Sequence, residues 1–391
     1  MRCARSTLVI LGLLAAWYIP VRGQDDPVKT MVDRLNLERY KGTVKGLTQF
    51  GDRRQGTDRN RAAVDWIEAQ LKSYGCTTER VHYEYKTPPP NPNAGRGRGT
   101  TTQAQGGGRI RGNRIPTGVN TDPMKQPDEK LRALNTQPTT DGPREEVFCT
   151  KVGTTHPNEM YILGGHMDGH GWGEAANDDG SGTALVMELA RVFSSPDVQT
   201  DRTIRFALWN NEETGLNGAR AYVDQRKDLQ GKENPPGSGK YPEPKWLGMI
   251  QHDMMMFDHG MPLPDGTMRK EQRLEADVNV EYQATAKLAA EAQTLAWELE
   301  DANEKYATDY PASVGRHMTN TDSTPFMDLT PSISVRENER GTQIGAGWDP
   351  QWHQPTDVFT TYSDADFRLG LNAAQTTLAA VAKLAGATIK K

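Results

Sequence analysis

The stretch Met160-Tyr161-Ile162-Leu163-Gly164-Gly165-His166-Met167-Asp168 reads as a short apolar strand, Met160 to Gly165, that runs out onto a histidine. After it come Ala176-Asn177-Asp178-Asp179-Gly180-Ser181-Gly182 and an apolar series, Ala184, Leu185, Leu189 and Val192, at helical spacing, with Ser181 placed to cap the helix. A second apolar strand, Thr203 to Trp209, leads into Asn210-Asn211-Glu212-Glu213. Strand, helix, strand in that order predicts a largely parallel sheet covered on both faces.

The alternation extends in both directions. Thr57 to Gly75 has the pattern of an amphipathic helix, with Ala63, Ile67 and Leu71 four residues apart. Val81, Tyr83 and Tyr85 alternate with polar residues as in a strand. Downstream, the sequence predicts a helix at Ala219 to Arg226 and a strand at Trp246 to His252. One long helix is predicted at Val280 to Lys305, a buried strand at Ser332 to Val335 and a closing helix at Asp364 to Leu384.

The residues at the strand ends carry the chemistry. His166, Glu212, Glu213 and Asp253 all lie at or just past the C-terminal ends of predicted strands, the edge of an α/β sheet where ligands collect. Asp178 precedes a helix, and His353 sits in Trp352-His353-Gln354-Pro355-Thr356-Asp357. Together these residues offer two imidazoles, two aspartates and a glutamate to a pair of zinc ions, with a second glutamate left to move protons. Oxygen and imidazole donors without thiolates suit zinc with open positions. A carboxylate shared by two ions holds them roughly 3.5–4 Å apart and clamps a hydroxide between them. Asp168, two residues past His166, is placed to accept that ring's second N–H. His166 and His170 have the spacing of a one-zinc His-Glu-x-x-His helix, but Met167 replaces the glutamate and four flanking glycines oppose a helix. His170 is therefore read as a loop histidine.

Composition narrows the class. The chain has 391 residues, 46 basic and 51 acidic, for a formal charge of −5, without the basic footprint of a nucleic-acid binder. Met1-Arg2-Cys3-Ala4-Arg5, the apolar run from Leu8 to Ile19 and Val21-Arg22-Gly23 form the three parts of a secretory leader, residues 1–23. That apolar run is shorter than the roughly 20 residues a spanning helix needs, so a secreted or periplasmic chain without stable membrane insertion is expected. Export permits a bridge between Cys76 and Cys149, and two buried thiols fit the sequence equally well. Residues 24–391 are expected to form one catalytic domain, because the candidate ligands must converge. It is interrupted at about 87–144 by a Pro/Gly-rich, mostly irregular insertion without a candidate ligand. That insertion is expected to be dispensable for chemistry.

The stretches from Tyr161 to Val223, Gln251 to Met254 and Trp352 to Asp357 resemble the secreted dinuclear zinc aminopeptidases typified by bacterial leucyl aminopeptidase. That superfamily also holds glutamate carboxypeptidases, plasma carboxypeptidase relatives and glutaminyl cyclases. The resemblance implies a phosphorylase/hydrolase-like fold, a three-layer α/β/α sandwich with a mixed, mostly parallel central sheet. It implies two Zn2+ ions, one bound by His166 and Asp253, the other by Glu213 and His353, with Asp178 between them. Glu212 would serve as general base and then acid, with Asp168 beside it in the catalytic set. A cis peptide bond between Asp178 and Asp179 is implied as well. The expected activity is hydrolysis of a terminal peptide bond in peptide substrates, with removal of the N-terminal residue favoured. A carboxypeptidase or dipeptidase, or a single-zinc glutaminyl cyclase, stays open. Thr321-Asp322-Ser323 departs from the frequent Ser-Asp-His, and Gly169 from a frequent serine.

Overall fold

The computed structural model describes residues 26–89, 118–258, 278–318, 320–337 and 349–390. The leader and residues 90–117 of the insertion lie outside this set. Eight strands form the central sheet: β1 (Thr77–Tyr85), β2 (Gly142–Lys151), β3 (His156–His166), β5 (Arg202–Trp209), β6 (Lys245–His252), β7 (Val278–Tyr282), β8 (Ala312–Gly315) and β9 (Ser332–Arg336). Their spatial order is β1-β2-β5-β3-β6-β9-β7-β8. Neighbours β5, β3, β6 and β9 run parallel, as do β7 and β8. β1 and β2 pair antiparallel, β2 meets β5 antiparallel, and β7 meets β9 antiparallel. A parallel centre with antiparallel additions is the mixed sheet expected. The short β4 (Val198–Gln199) and β10 (Thr388–Ile389) pair separately.

Side-chain alternation explains the two covering layers. In β5, Ile204, Phe206 and Leu208 point into one apolar cluster and Ala207 and Trp209 into the other. The first cluster takes in α1 (Pro27–Val32), α2 (Leu37–Thr48), α3 (Asp58–Ser73), α5 (Gly180–Phe193), α7 (Ala289–Tyr306) and α8 (Asp364–Leu384), α4 (Glu129–Asn135) lying outside it. The second is covered by α6 (Asn217–Arg226) and Phe326. Strands buried on both faces read as near-continuous apolar runs, which is why Tyr161–Leu163 and Ile204–Trp209 were legible.

Several expectations are corrected. The predicted helix over Val280 to Lys305 is strand β7 followed by helix α7; Val278, Val280 and Tyr282 alternate at period two, and all five β7 residues are buried. Asp179, not Ser181, caps α5, its side chain accepting from Gly182 N. The insertion is not irregular throughout, since α4 and the start of β2 fall within it. Asp128 caps α4 through the backbone N–H groups of Lys130 and Leu131, a helix-start signal that the surrounding prolines obscured.

Cys76 and Cys149 are bridged, with Cα atoms 5.7 Å apart, joining the start of β1 to β2. The bridge spans a sequence separation of 73. Closed loops of this order remove roughly 4 kcal/mol of unfolded-state freedom. The Cys76→Ser/Cys149→Ser double variant is expected to lose about that much stability, read as a lower urea midpoint with a steeper slope, because the unbridged unfolded chain exposes more surface.

Candidate metal centre

Three adjacent parallel strands deliver their last residues to one place. β3 ends on His166, β5 is followed by Glu212 and Glu213, and β6 is followed by Asp253. Asn211 and Met254, with φ of 64° and 63°, turn the chain sharply beside these residues. The Asn210 amide fixes the first turn, donating to Asn60 Oδ1 and the Glu145 carbonyl. Asp178 comes from the loop before α5, and its peptide bond to Asp179 is cis. His353 enters from the loop before α8, at φ 58°.

The seven candidate residues come together. Asp178 lies between the two histidines: its Oδ1 is 3.3 Å from His166 Nε2 and its Oδ2 is 2.9 Å from His353 Nε2. Asp253 Oδ1 stands 3.9 Å from His166 Nε2, and Glu213 Oε2 stands 3.0 Å from His353 Nε2. His166, Glu212 and Asp253 have donor atoms within 4.8 Å of one another, and so do His170, Glu213 and His353. His170 is thus no bystander; its Nε2 is 3.1 Å from Glu213 Oε2, and its ring meets that of His353 edge-on at 4.0 Å. Its sequence signal was the spacing from His166, set aside because no helix is possible there.

Metal ions fit this donor set. Asp178, Glu212 and Asp253, all buried, and Glu213, its side chain 7% exposed, bring four carboxylates against three imidazoles and one guanidinium, Arg336, whose Nη2 is 2.9 Å from Asp253 Oδ2. Glu213 Oε1 is buried without a hydrogen-bond partner, and His170 Nε2, though 3.1 Å from Glu213 Oε2, is not aligned to hydrogen-bond with it. Buried acceptors crowded in this way need cations between them.

Neighbouring groups aim the donors. His166 Nδ1 donates to the Asp168 backbone carbonyl at 3.0 Å, which leaves the Nε2 lone pair facing Asp178 and Asp253. The Asp168 carboxylate was expected on that ring but lies 3.9 Å away. Its Oδ1 accepts the backbone N–H of Glu212 at 2.9 Å, so it holds the turn that carries the glutamate pair. Asp179 accepts the backbone N–H groups of His166, Gly182 and Met254. Asp357, beyond His353, accepts those of Asn177 and Asp178. Arg53, fully buried, donates to the carbonyls of Met167, Glu174 and Ala175, bracing both ligand loops from far upstream. Nothing in its sequence neighbourhood marked it.

Protonation follows the crowding. Burial pushes the Glu212 carboxyl well above the usual range, and Asp322, Glu213 and Asp253 push it further. Burial raises Glu213 to about 7, against the pull of His353. Burial alone would depress His353, but Glu213 and Asp178 overcome it and raise the ring to about 10. For Asp253 burial is likewise outweighed, by Arg336 and His166, and its carboxyl stays low. A metal must displace the protons held by Glu213 and His353. Affinity for zinc should therefore rise with pH throughout this range, and fall more steeply below about pH 7, where Glu213 also holds its proton. Chelator competition at a series of pH values checks this; a flat profile would contradict it.

The described part of the insertion also reaches the centre. Asn120 N–H donates to the His353 carbonyl, and the Gln126 amide donates to the carbonyls of Trp172 and Pro355. These contacts tie down the loop that carries His353, which counts against the expectation that the insertion is dispensable for chemistry. Sequence could not show this: composition reports a polar segment, not which backbone it pairs with. A cavity of about 330 Å3 opens beside Glu213 and His170, with Arg54, Val119, Asn120 and Thr121 in its wall.

A sheet of this topology, with carboxylates and imidazoles gathered at the ends of its parallel strands, defines a metal-dependent hydrolase scaffold. The model of peptidase family M28 matches residues 146–377, more than half of the chain, and the chain belongs to that family. It is 39% identical over 79 residues to aminopeptidase YwaD of Bacillus subtilis, covering 20% of this chain and 17% of that one. It is 34% identical over 76 residues to carboxypeptidase Q of Xenopus laevis, covering 19% and 16%. The chain thus spans about a sixth of the length of these curated relatives. Among solved structures, the aminopeptidase from Aneurinibacillus sp. strain AM-1 shares the fold at a TM-score of 0.60 and 20% identity, over 91% of this chain and 95% of that one.

Proposed function

We propose that this chain is an exported, zinc-dependent exopeptidase with two metal positions, removing N-terminal residues from peptides. The observation that carries the reading is Asp178, which offers one oxygen toward each histidine and so can serve both positions. His166 and Asp253 complete one position, and Glu213 and His353 the other. The Cys76–Cys149 bridge supports export to an oxidising compartment.

When bound, the zinc ions supply Lewis acidity and lower the pKa of water in the site. The chain supplies the rest. Glu212, at 8% exposure, faces this space with its backbone pinned by Asp168; it takes a proton from the attacking water and returns it to the leaving amine. Trp209 Nε1 donates to Gln251 Oε1, a buried contact that links the ends of β5 and β6 across Gly164 of β3.

The choice of peptide end rests on Arg316, Arg336 and Arg340, the last three arginines before His353 in sequence. Binding a C-terminal carboxylate near the ligands calls for a fixed cation. Arg336 is buried against Asp253 and Glu281. Arg316 is exposed at the end of β8, and Arg340 lies outside the described residues. The dense carboxylates suit a substrate amine instead. The test is to offer zinc-loaded protein pentapeptides blocked at one end. N-acetylation is expected to abolish cleavage and C-terminal amidation to spare it. The reverse result would establish a carboxypeptidase, and release of pyroglutamate from an N-terminal glutamine a cyclase.

A further inference from the structure

The cavity beside Glu213 has a cation in its wall that the proposed chemistry does not use. Arg54 is 28% exposed by side chain and reaches Asp52 Oδ2 only at 3.4 Å. Asp52 is already matched: fully buried, it takes a 2.5 Å bond from Arg59 Nη2. One carboxylate therefore faces two guanidiniums, and the Arg54 guanidinium, the weaker-held of the two, lines the cavity together with Asp168 and Glu213. Its Nε is buried without a hydrogen-bond partner. The Trp172 ring, 5.7 Å from the guanidinium carbon, steadies the group by cation–π attraction. Gln55 and Thr121 line the same space, and among the described residues Arg54 is the one Lys or Arg in its lining. At about 330 Å3 the cavity lies at the small end of ligand pockets, roughly 300–1,000 Å3.

We infer that this cavity is a carboxylate subsite, in which Arg54 holds the anionic end of a short peptide while its amide lies over the metal centre. The inference rests on the peptidase reading and adds to it a preference for very small substrates, dipeptides above all, over the longer peptides that are also cut. In a dipeptide the residue released still carries the free carboxylate, one residue beyond the bond that is cut. A guanidinium fork suits that group, and removal of N-terminal residues is compatible with it. Arg54, Gln55 and Thr121 all precede residue 146, outside the part of the chain that the family model matches, while Asp168, His170 and Glu213 on the other side of the cavity lie within it. A side-chain carboxylate of the substrate offers the same chemistry, and the experiment separates the two sources.

The test compares kcat and KM of the zinc-loaded protein on alanylalanine, alanylalanine amide and the α-amide of alanylglutamate. A charge-assisted hydrogen bond contributes roughly 1.5–3 kcal/mol, so the free dipeptide should exceed its amide in kcat/KM by about 10–150-fold, mostly through KM. In Arg54→Ala that ratio should fall to near one, and in Arg54→Lys it should recover in part. Both substrates are read on one preparation, so loss of folded protein cancels from the ratio. If the alanylglutamate amide matches the free dipeptide, the subsite takes a side-chain carboxylate; if it behaves as the simple amide, the terminal carboxylate is the ligand. A wild-type ratio near one, or a ratio unchanged by Arg54→Ala, overturns the subsite and leaves the peptidase reading intact. If no peptide is cut, the peptidase reading falls, and calorimetry with alanylalanine against its amide, on wild type and Arg54→Ala, decides the subsite alone.

Discussion

Glu212→Gln is expected to fold and to hold zinc as the parent does, while turning over peptides about 10²–10⁴-fold more slowly. That loss corresponds to roughly 3–5 kcal/mol in the barrier. The substitution keeps the shape of a side chain that is 8% exposed, and it leaves untouched the backbone N–H bound by Asp168. Only the capacity to take and return a proton is removed. The competing role is metal ligation, since Glu212 has a donor atom near those of His166 and Asp253. Metal content separates the two: a base variant keeps its zinc, whereas a ligand variant releases it along with activity. Turnover at the parent rate would remove Glu212 from the chemistry altogether.

Asp178→Asn should have the largest effect on the metals themselves. One amide oxygen cannot replace two charged oxygens directed at two histidines 3.3 and 2.9 Å away. Loss of a partner behind a ligand already costs about 10–100-fold in metal affinity, and a ligand shared by two positions should cost at least that at each. Zinc per chain, measured across a chelator titration, should fall at both positions together. Asp253→Asn and Glu213→Gln, by contrast, should each empty one position first. Retention of one tightly held ion in Asp178→Asn would show that the carboxylate serves a single position.

The candidate ligand set was legible because every donor but His353 ends or follows an apolar strand or precedes a helix, and such runs announce themselves in sequence. The strands of the parallel centre were found for the same reason. Misreadings arose where the decisive contact is long in sequence. Val278-Asn279-Val280-Glu281-Tyr282 does alternate at period two, but five residues abutting a long helical pattern are easily absorbed into it; the pairing with Arg336 through Ile333 decides. Asp168 was assigned to the ring two residues before it, whereas its carboxylate reaches 44 residues forward to Glu212. Asn120 and Gln126 meet the His353 loop across more than two hundred residues, beyond any periodicity.

Arg53 has a consequence for how such a site can be moved. Residues 146–377 contain every candidate ligand, yet the guanidinium that fastens the Met167, Glu174 and Ala175 carbonyls belongs to the segment before them. The transplantable unit is therefore larger than the ligand-bearing one. A graft or truncation that begins at residue 146 would carry the donors without their brace, leaving three carbonyls without the partner that orders them. Divergence among chains of this kind should then be judged by what each N-terminal segment grips as much as by the ligands it surrounds.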